Sequence, residues 1–151
     1  MVGIGDYHIG RSPMSSIGLG SCIGLVVYDM ERDTGGLAHI MLPDSQGRTD
    51  RPAKYADTAV ELLVRELNKQ GSKKEALGAK IVGGSSMFQS FSGNLNIGDR
   101  NIEAVRFHLK KWNLRILAED VGGVQGRTIT FYPAEKGKVS VKTADGTIRL
   151  I

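Results

Sequence analysis

Ile17-Gly18-Leu19-Gly20-Ser21-Cys22-Ile23-Gly24-Leu25-Val26-Val27-Tyr28 is the stretch on which the fold turns. Its first half holds the densest glycine cluster of the chain and its second half is β-branched and aromatic, so a conformationally unusual segment feeds a buried strand. The polar run from Met30 ends in Gly35-Gly36 and returns the chain into a second apolar run, Leu37-Ala38-His39-Ile40-Met41-Leu42. The expected unit is a hairpin with a longer loop, which brings the strand that begins at Cys22 beside the strand that carries His39.

Upstream, Val2 to Ile9 reads as an edge strand ended by the turn Gly10-Arg11-Ser12-Pro13. Downstream, a polar loop from Pro43 to Ala53 precedes a helix over Lys54 to Gln70. Ala56, Ala59, Val60, Leu63, Val64 and Leu67 form its apolar face, and Gly71 stands as its stop. Ala79 to Val82 is a short strand ending at Gly83-Gly84, and Ser85 to Ile97 is a loop with Met87, Phe88 and Phe91 as apolar anchors. A second helix from about Arg100 to Trp112 carries Ile102, Val105, Leu109 and Trp112 on one stripe. Leu114 to Ala118 follows as a strand, and Arg127 to Tyr132, Val139 to Thr143 and Thr147 to Leu150 read as a terminal antiparallel meander. A helix followed by a strand ending in Val-Gly-Gly occurs twice, at Val82 and at Val121. About seven strands and two helices, with strands clustered at both ends, imply an α+β fold with more sheet than helix.

At 151 residues one core serves the whole chain, so residues 1–151 are expected to form a single domain. With 40% apolar and 24% charged residues, disorder and fibre formation are excluded, and 20 glycines fit a strand-rich chain with sharp corners. The longest apolar stretch, Ile23 to Tyr28, is far short of the roughly 18 residues that span a bilayer, so no membrane insertion is expected. Met1 to Asp6 lacks the basic start and apolar run of a signal peptide, which makes the cytoplasm the expected compartment. The net charge of +4 is spread along the chain, as on a solvated surface rather than a nucleic-acid footprint. A lone cysteine excludes an intramolecular disulfide and a four-cysteine zinc site.

Nucleotide and metal motifs fail on inspection. The third glycine of a dinucleotide fingerprint begun at Gly18-Leu19-Gly20 falls on Ile23, no P-loop surrounds Gly137-Lys138, and no His-Glu-x-x-His helix exists, so no cofactor or metal is expected. What remains is the thiol. Cys22 enters a strand from a glycine-rich turn, where backbone N–H groups such as those of Ser21 and Cys22 can receive an oxyanion. A cysteine beside Ile-Gly-Leu-Val also fits a small buried hydrophobe, and a histidine in an apolar strand also fits a core residue. His39 is the best candidate base, His8 and His108 are weaker ones, and Ser16, Asp29, Asp44 or Asp120 could orient the imidazole. Such a pair would attack an amide or ester carbonyl and hydrolyse it through a thioester.

Several stretches, in order over most of the chain, resemble one family. They are Leu19-Gly20-Ser21-Cys22, Ala38-His39-Ile40-Met41-Leu42-Pro43, Lys54-Tyr55-Ala56-Asp57, Gly83-Gly84 with Met87-Phe88, Asn96-Ile97-Gly98 with Arg100-Asn101, and Ala118-Glu119-Asp120 with Gly122-Gly123 and Gly126-Arg127. The family is that of the CheD chemotaxis proteins, glutamine deamidases of chemoreceptors. The resemblance implies a cytoplasmic enzyme that converts particular Gln side chains of methyl-accepting chemotaxis receptors to Glu, with a possible methylesterase side activity. It implies packed sheets with helices outside, similar to deamidating toxin catalytic domains, and the CheC phosphatase as a partner near the active site; no residue identifies that surface, and Phe88 and Phe91 are read as buried anchors ahead of contacts. It also implies Cys22 as nucleophile, His39 as base, and a third member six residues before the cysteine, where the family has Thr and this chain has Ser16. The lost methyl group would leave Ser16 freer to rotate. The rival expectation is a binding module that engages CheC and receptors without chemistry.

Overall fold

A computed structural model describes residues 1–86 and 96–151. The anchors expected at Met87, Phe88 and Phe91 lie outside the described residues. The strands are β1 (Tyr7–Gly10), β2 (Met14–Leu19), β3 (Ile23–Asp29), β4 (Gly35–Ile40), β5 (Leu77–Gly83), β6 (Arg115–Val121), β7 (Arg127–Tyr132), β8 (Lys138–Thr143) and β9 (Ile148–Leu150). The α-helices are α1 (Ala56–Lys69) and α2 (Ile97–Lys111). The hairpin at the heart of the sequence reading is present, with Gly24 opposite His39.

Two sheets form. One has the order β1-β4-β3-β5-β6, parallel only between β5 and β6, and the other is antiparallel with the order β2-β7-β8-β9. Every residue of β3, β4 and β5 is buried, because both faces of the first sheet are covered. Ile23, Leu25 and Val27 pack with Leu63, Leu67, Val105 and Leu109 of the two helices. Val26 and Tyr28 pack on the other side with Ile129, Phe131, Val139 and Val141 of the second sheet. The layers are therefore helices, sheet and sheet. The apolar periodicity of α1 is the cause of its place: six apolar residues at helical spacing are all buried, each fully buried Leu worth about 2 kcal/mol. Gly71 ends that helix as expected, with Gly71 N–H on Asn68 O and Ser72 N–H on Leu67 O.

Two readings of the sequence are corrected. Met14 to Leu19 is a strand, pairing with β7 through Ser15 opposite Thr130 and Ser16 opposite Ile129. Its Gly and Ser content hides it, and a register irregularity between Ser16 and Leu19 takes up Gly18. The expected strand over Val2 to Ile9 is regular only from Tyr7, because residues 3 to 6 form a turn.

Candidate active site

His39 lies on β4 with its side chain in the layer between the two sheets, 1% exposed. From the facing sheet Ser16 reaches it, and the hydroxyl and His39 Nδ1 are 2.8 Å apart. The Ser16 hydroxyl donates its only hydrogen to the Val2 carbonyl at 2.7 Å. It must then accept from the ring, so Nδ1 carries the proton and Nε2 is an unprotonated lone pair. Nε2 is buried and has no partner. The two hydrogen bonds of Ser16 supply the rotational restriction that a threonine methyl group would have given.

Cys22 is half-buried and packs on the same inter-sheet cluster. Cys22 directly precedes β3, and since Gly24 is opposite His39, the alternation of the strand puts Cys22 on the His39 face, in keeping with its packing on the inter-sheet cluster. No hydrogen bond joins the thiol to the ring at rest among the described residues. Burial pushes the thiol pKa up. Burial also pushes the imidazole down, opposed by the Val2 carbonyl and the charge of Asp6. Both shifts favour a neutral thiol beside a neutral imidazole. In such a pair a thiolate would arise by proton transfer to the ring and not from a standing ion pair.

The turn that carries Cys22 is tied down through its carbonyls. Gly20 O accepts from Ser85 N–H at 2.8 Å, Cys22 O from Gly84 N–H at 2.9 Å, and Ser21 O from the Asn101 amide at 2.8 Å. No acceptor among the described residues takes the N–H of Ser21 or Cys22. Those two donors are what an oxyanion at the thiol needs. Gly83 makes the approach possible: its φ is +111°, and a Cβ there would collide with the Cys22 carbonyl oxygen. The two Val-Gly-Gly endings meet here, because β5 and β6 are neighbours and Gly122 N–H donates to Gly83 O.

Asn101 had no role in the sequence reading. It is fully buried on α2 and its amide donates to both Ser21 O and Met41 O, fastening the cysteine turn to the end of the histidine strand. The signal was available, since Asn101 shares the apolar stripe of Val105 and Leu109 at i+4 and i+8. The other candidates are elsewhere. Asp29 sits at the opposite end of β3 and accepts from the N–H groups of Glu31 and Arg32. Asp44 accepts from Gln46, Asp120 pairs with Arg127, His8 is exposed on β1, and His108 packs edge-on against Phe107. Among the described residues no cluster suits a metal ion, and no helix is long and apolar enough to cross a membrane.

Comparison with known proteins adds a family. The family described as CheD chemotactic sensory transduction matches residues 41–143. A chemoreceptor glutamine deamidase CheD of Thermotoga maritima is 49% identical over 148 residues, covering 97% of this chain and 92% of the relative. A probable chemoreceptor glutamine deamidase CheD of Archaeoglobus fulgidus is 43% identical over 97% of this chain and 94% of its own length. One of Clostridium botulinum is 46% identical over 94% and 91%.

Proposed function

The chain belongs to the CheD family, and on that premise we propose that it deamidates glutamine side chains of chemotaxis receptors, with residues 1–151 acting as one catalytic domain. The observation that carries the reading is the Ser16–His39 hydrogen bond, which leaves a bare Nε2 on the face shared with Cys22.

In the mechanism that follows, Nε2 takes the thiol proton as Cys22 Sγ attacks the side-chain carbonyl carbon of the glutamine. The N–H groups of Ser21 and Cys22 hold the tetrahedral oxyanion. The imidazolium returns the proton to the nitrogen as the C–N bond breaks, so ammonia leaves and a thioester remains. Water then adds with Nε2 as base, the C–S bond breaks, and the thiol recovers its proton. Gln plus water has become Glu plus ammonia. A receptor methyl ester would meet the same nucleophile with methanol as leaving group, and this is the basis for a methylesterase side activity.

The cytoplasm as compartment rests on the family resemblance. CheC as a partner rests on the family resemblance. The test is mass spectrometry of a receptor cytoplasmic fragment incubated with reduced wild-type protein or with Cys22→Ala. Gln-to-Glu conversion at defined sites by wild type alone is the expected result. No conversion of the native receptor by wild type overturns the reading and leaves the binding module.

A further inference from the structure

Segment 2–6 crosses from one sheet to the other directly over the histidine. Val2 N–H donates to Ser15 O on β2 at 2.7 Å, while Gly5 N–H donates to His39 O and His39 N–H to Asp6 O on the β4 side. Between these anchors Asp6 N–H donates to Gly3 O, and Gly5, with φ of +77°, occupies the third position of a type II turn. Arg51 locks that turn, with one guanidinium nitrogen 2.8 Å from Ile4 O and 3.1 Å from Asp6 Oδ1. The Val2 side chain is buried in the inter-sheet cluster. Six backbone or side-chain bonds therefore fix the segment around one carbonyl, that of Val2, which accepts the Ser16 hydroxyl.

We propose that the Val2 carbonyl is a positioning group of the active site, the terminal acceptor of a relay from His39 Nδ1–H through the Ser16 hydroxyl, and that segment 2–6 is the strap that holds it there. This rests on the functional reading above. A hydroxyl alone cannot select a tautomer, because it can donate to a bare Nδ1 as readily as accept from a protonated one. The Val2 carbonyl removes that choice. It can only accept, so it claims the Ser16 hydrogen and obliges the ring to donate at Nδ1. The consequence is a proton-free Nε2 toward Cys22 without any carboxylate behind the imidazole. A neutral acceptor also avoids burying an anion in the inter-sheet layer.

The chemistry of the chain allows a direct test. Cys22 is the only cysteine, so a synthetic segment 1–21 can be ligated to an expressed, ¹⁵N-labelled segment 22–151 to rebuild the full chain. His39 and His108 are then the only labelled histidines. Replacing the Val2–Gly3 amide by an ester weakens the Val2 carbonyl as an acceptor. The Gly3 N–H lost with it donates to nothing among the described residues. In the wild-type chain the ¹⁵N spectrum is expected to show His39 protonated at Nδ1. The ester should mix the tautomers and lower kcat for receptor deamidation about threefold with KM unchanged, Ser16→Ala should lower kcat about 100-fold, and Ser16→Thr should restore it. Nε2 protonation in the wild type, or an ester chain with unaltered tautomer and kcat, overturns the proposal. A wild-type chain with the Nδ1 tautomer and no deamidation overturns the functional reading instead.

Discussion

Two polar clusters join the same pair of sheets, and they are built on opposite electrostatic plans. At one, Ser16 of β2 meets His39 of β4 through uncharged groups, and the ring keeps an unpartnered nitrogen. At the other, Arg127 of β7 donates from Nε and one terminal nitrogen to Asp120 Oδ1 of β6 and from the other to Gly122 O, while Arg149 lies 3.4 Å from Asp120 Oδ2. Both side chains of the Asp120–Arg127 pair are 8% exposed. Charge there is neutralised by charge, and each carboxylate oxygen faces a guanidinium. The difference separates two uses of a buried polar group. A charge-paired cluster fastens sheet to sheet, and even its Oδ2, which accepts no hydrogen bond, is held by the nearby Arg149 guanidinium. The neutral one leaves the lone pair of His39 Nε2 without a donor, and of the buried unpartnered atoms among the described residues it is the only titratable nitrogen, the kind of group a proton transfer needs.

The sharpest way to break this contrast is to remove one group from each cluster. Cys22→Ala takes away the proposed nucleophile and only one partly buried atom, so receptor deamidation should fall by at least about 10⁴-fold while stability moves by less than about 1 kcal/mol. Urea titration beside the mass-spectrometric assay checks both. Loss of the unfolding transition in that variant would make Cys22 structural. Arg127→Ala should do the reverse. It removes the buried partner of Asp120, leaves only the exposed Arg149 beside the carboxylate, and should cost about 3 kcal/mol of stability, with turnover per folded molecule nearly retained at low temperature. If Arg127→Ala instead stayed stable and lost turnover, Asp120 and Arg127 would belong to the active site after all.

Asn101 stands between the two plans, since both amide hydrogens are used on the turn of Cys22 and the end of β4 while its buried Oδ1 has no partner. Asn101→Ala leaves the carbonyls of Ser21 and Met41 without that donor, a loss of about 2 kcal/mol by denaturation and about tenfold in kcat. Asn101→Asp should be worse on both counts, because a carboxylate would face two carbonyl oxygens. Equal stability and turnover in the two variants would remove the clamp from the account.

How much of this could be read in advance depended on whether a residue's role is set locally. The Cys22 to His39 hairpin was legible because strand periodicity and a Gly-Gly turn fix register within twenty residues. Both helices were legible from their apolar stripes, within a turn of their observed ends. Strand β2 was not, because Ser15, Ser16 and Gly18 have poor strand propensity and the pairing that holds them comes from β7, more than a hundred residues away. The choice among Ser16, Asp29, Asp44 and Asp120 was closed for the same reason. Facing sheets decide it, and no spacing along the chain encodes which strand of the second sheet lies over β4. Val2 was beyond reach altogether, since its contribution is a main-chain carbonyl that any residue type possesses.

The smallest expected effect is a displaced pH limb, and it sharpens the comparison most finely. His39 is held by neutral groups, with Asp6 the acidic charge acting on it and that charge shared with Arg51 at 3.1 Å. Desolvation then outweighs the upward pull of the Val2 carbonyl and Asp6, and the imidazole titrates below its ordinary value near 6.5. The proposed general base works only when unprotonated, so kcat/KM should rise with pH through an acid limb centred below that value. Folding follows the same sign. The unfolded chain binds the proton more tightly than the native one, so the stability His39 contributes is complete above about 6.5 and is lost as pH falls toward the depressed native value. Arg51→Ala frees Asp6 and should move the limb up. A wild-type limb centred above 6.5 would mean that Asp6 already dominates burial, and the histidine would then be stabilised as a cation, as a charge-paired cluster requires.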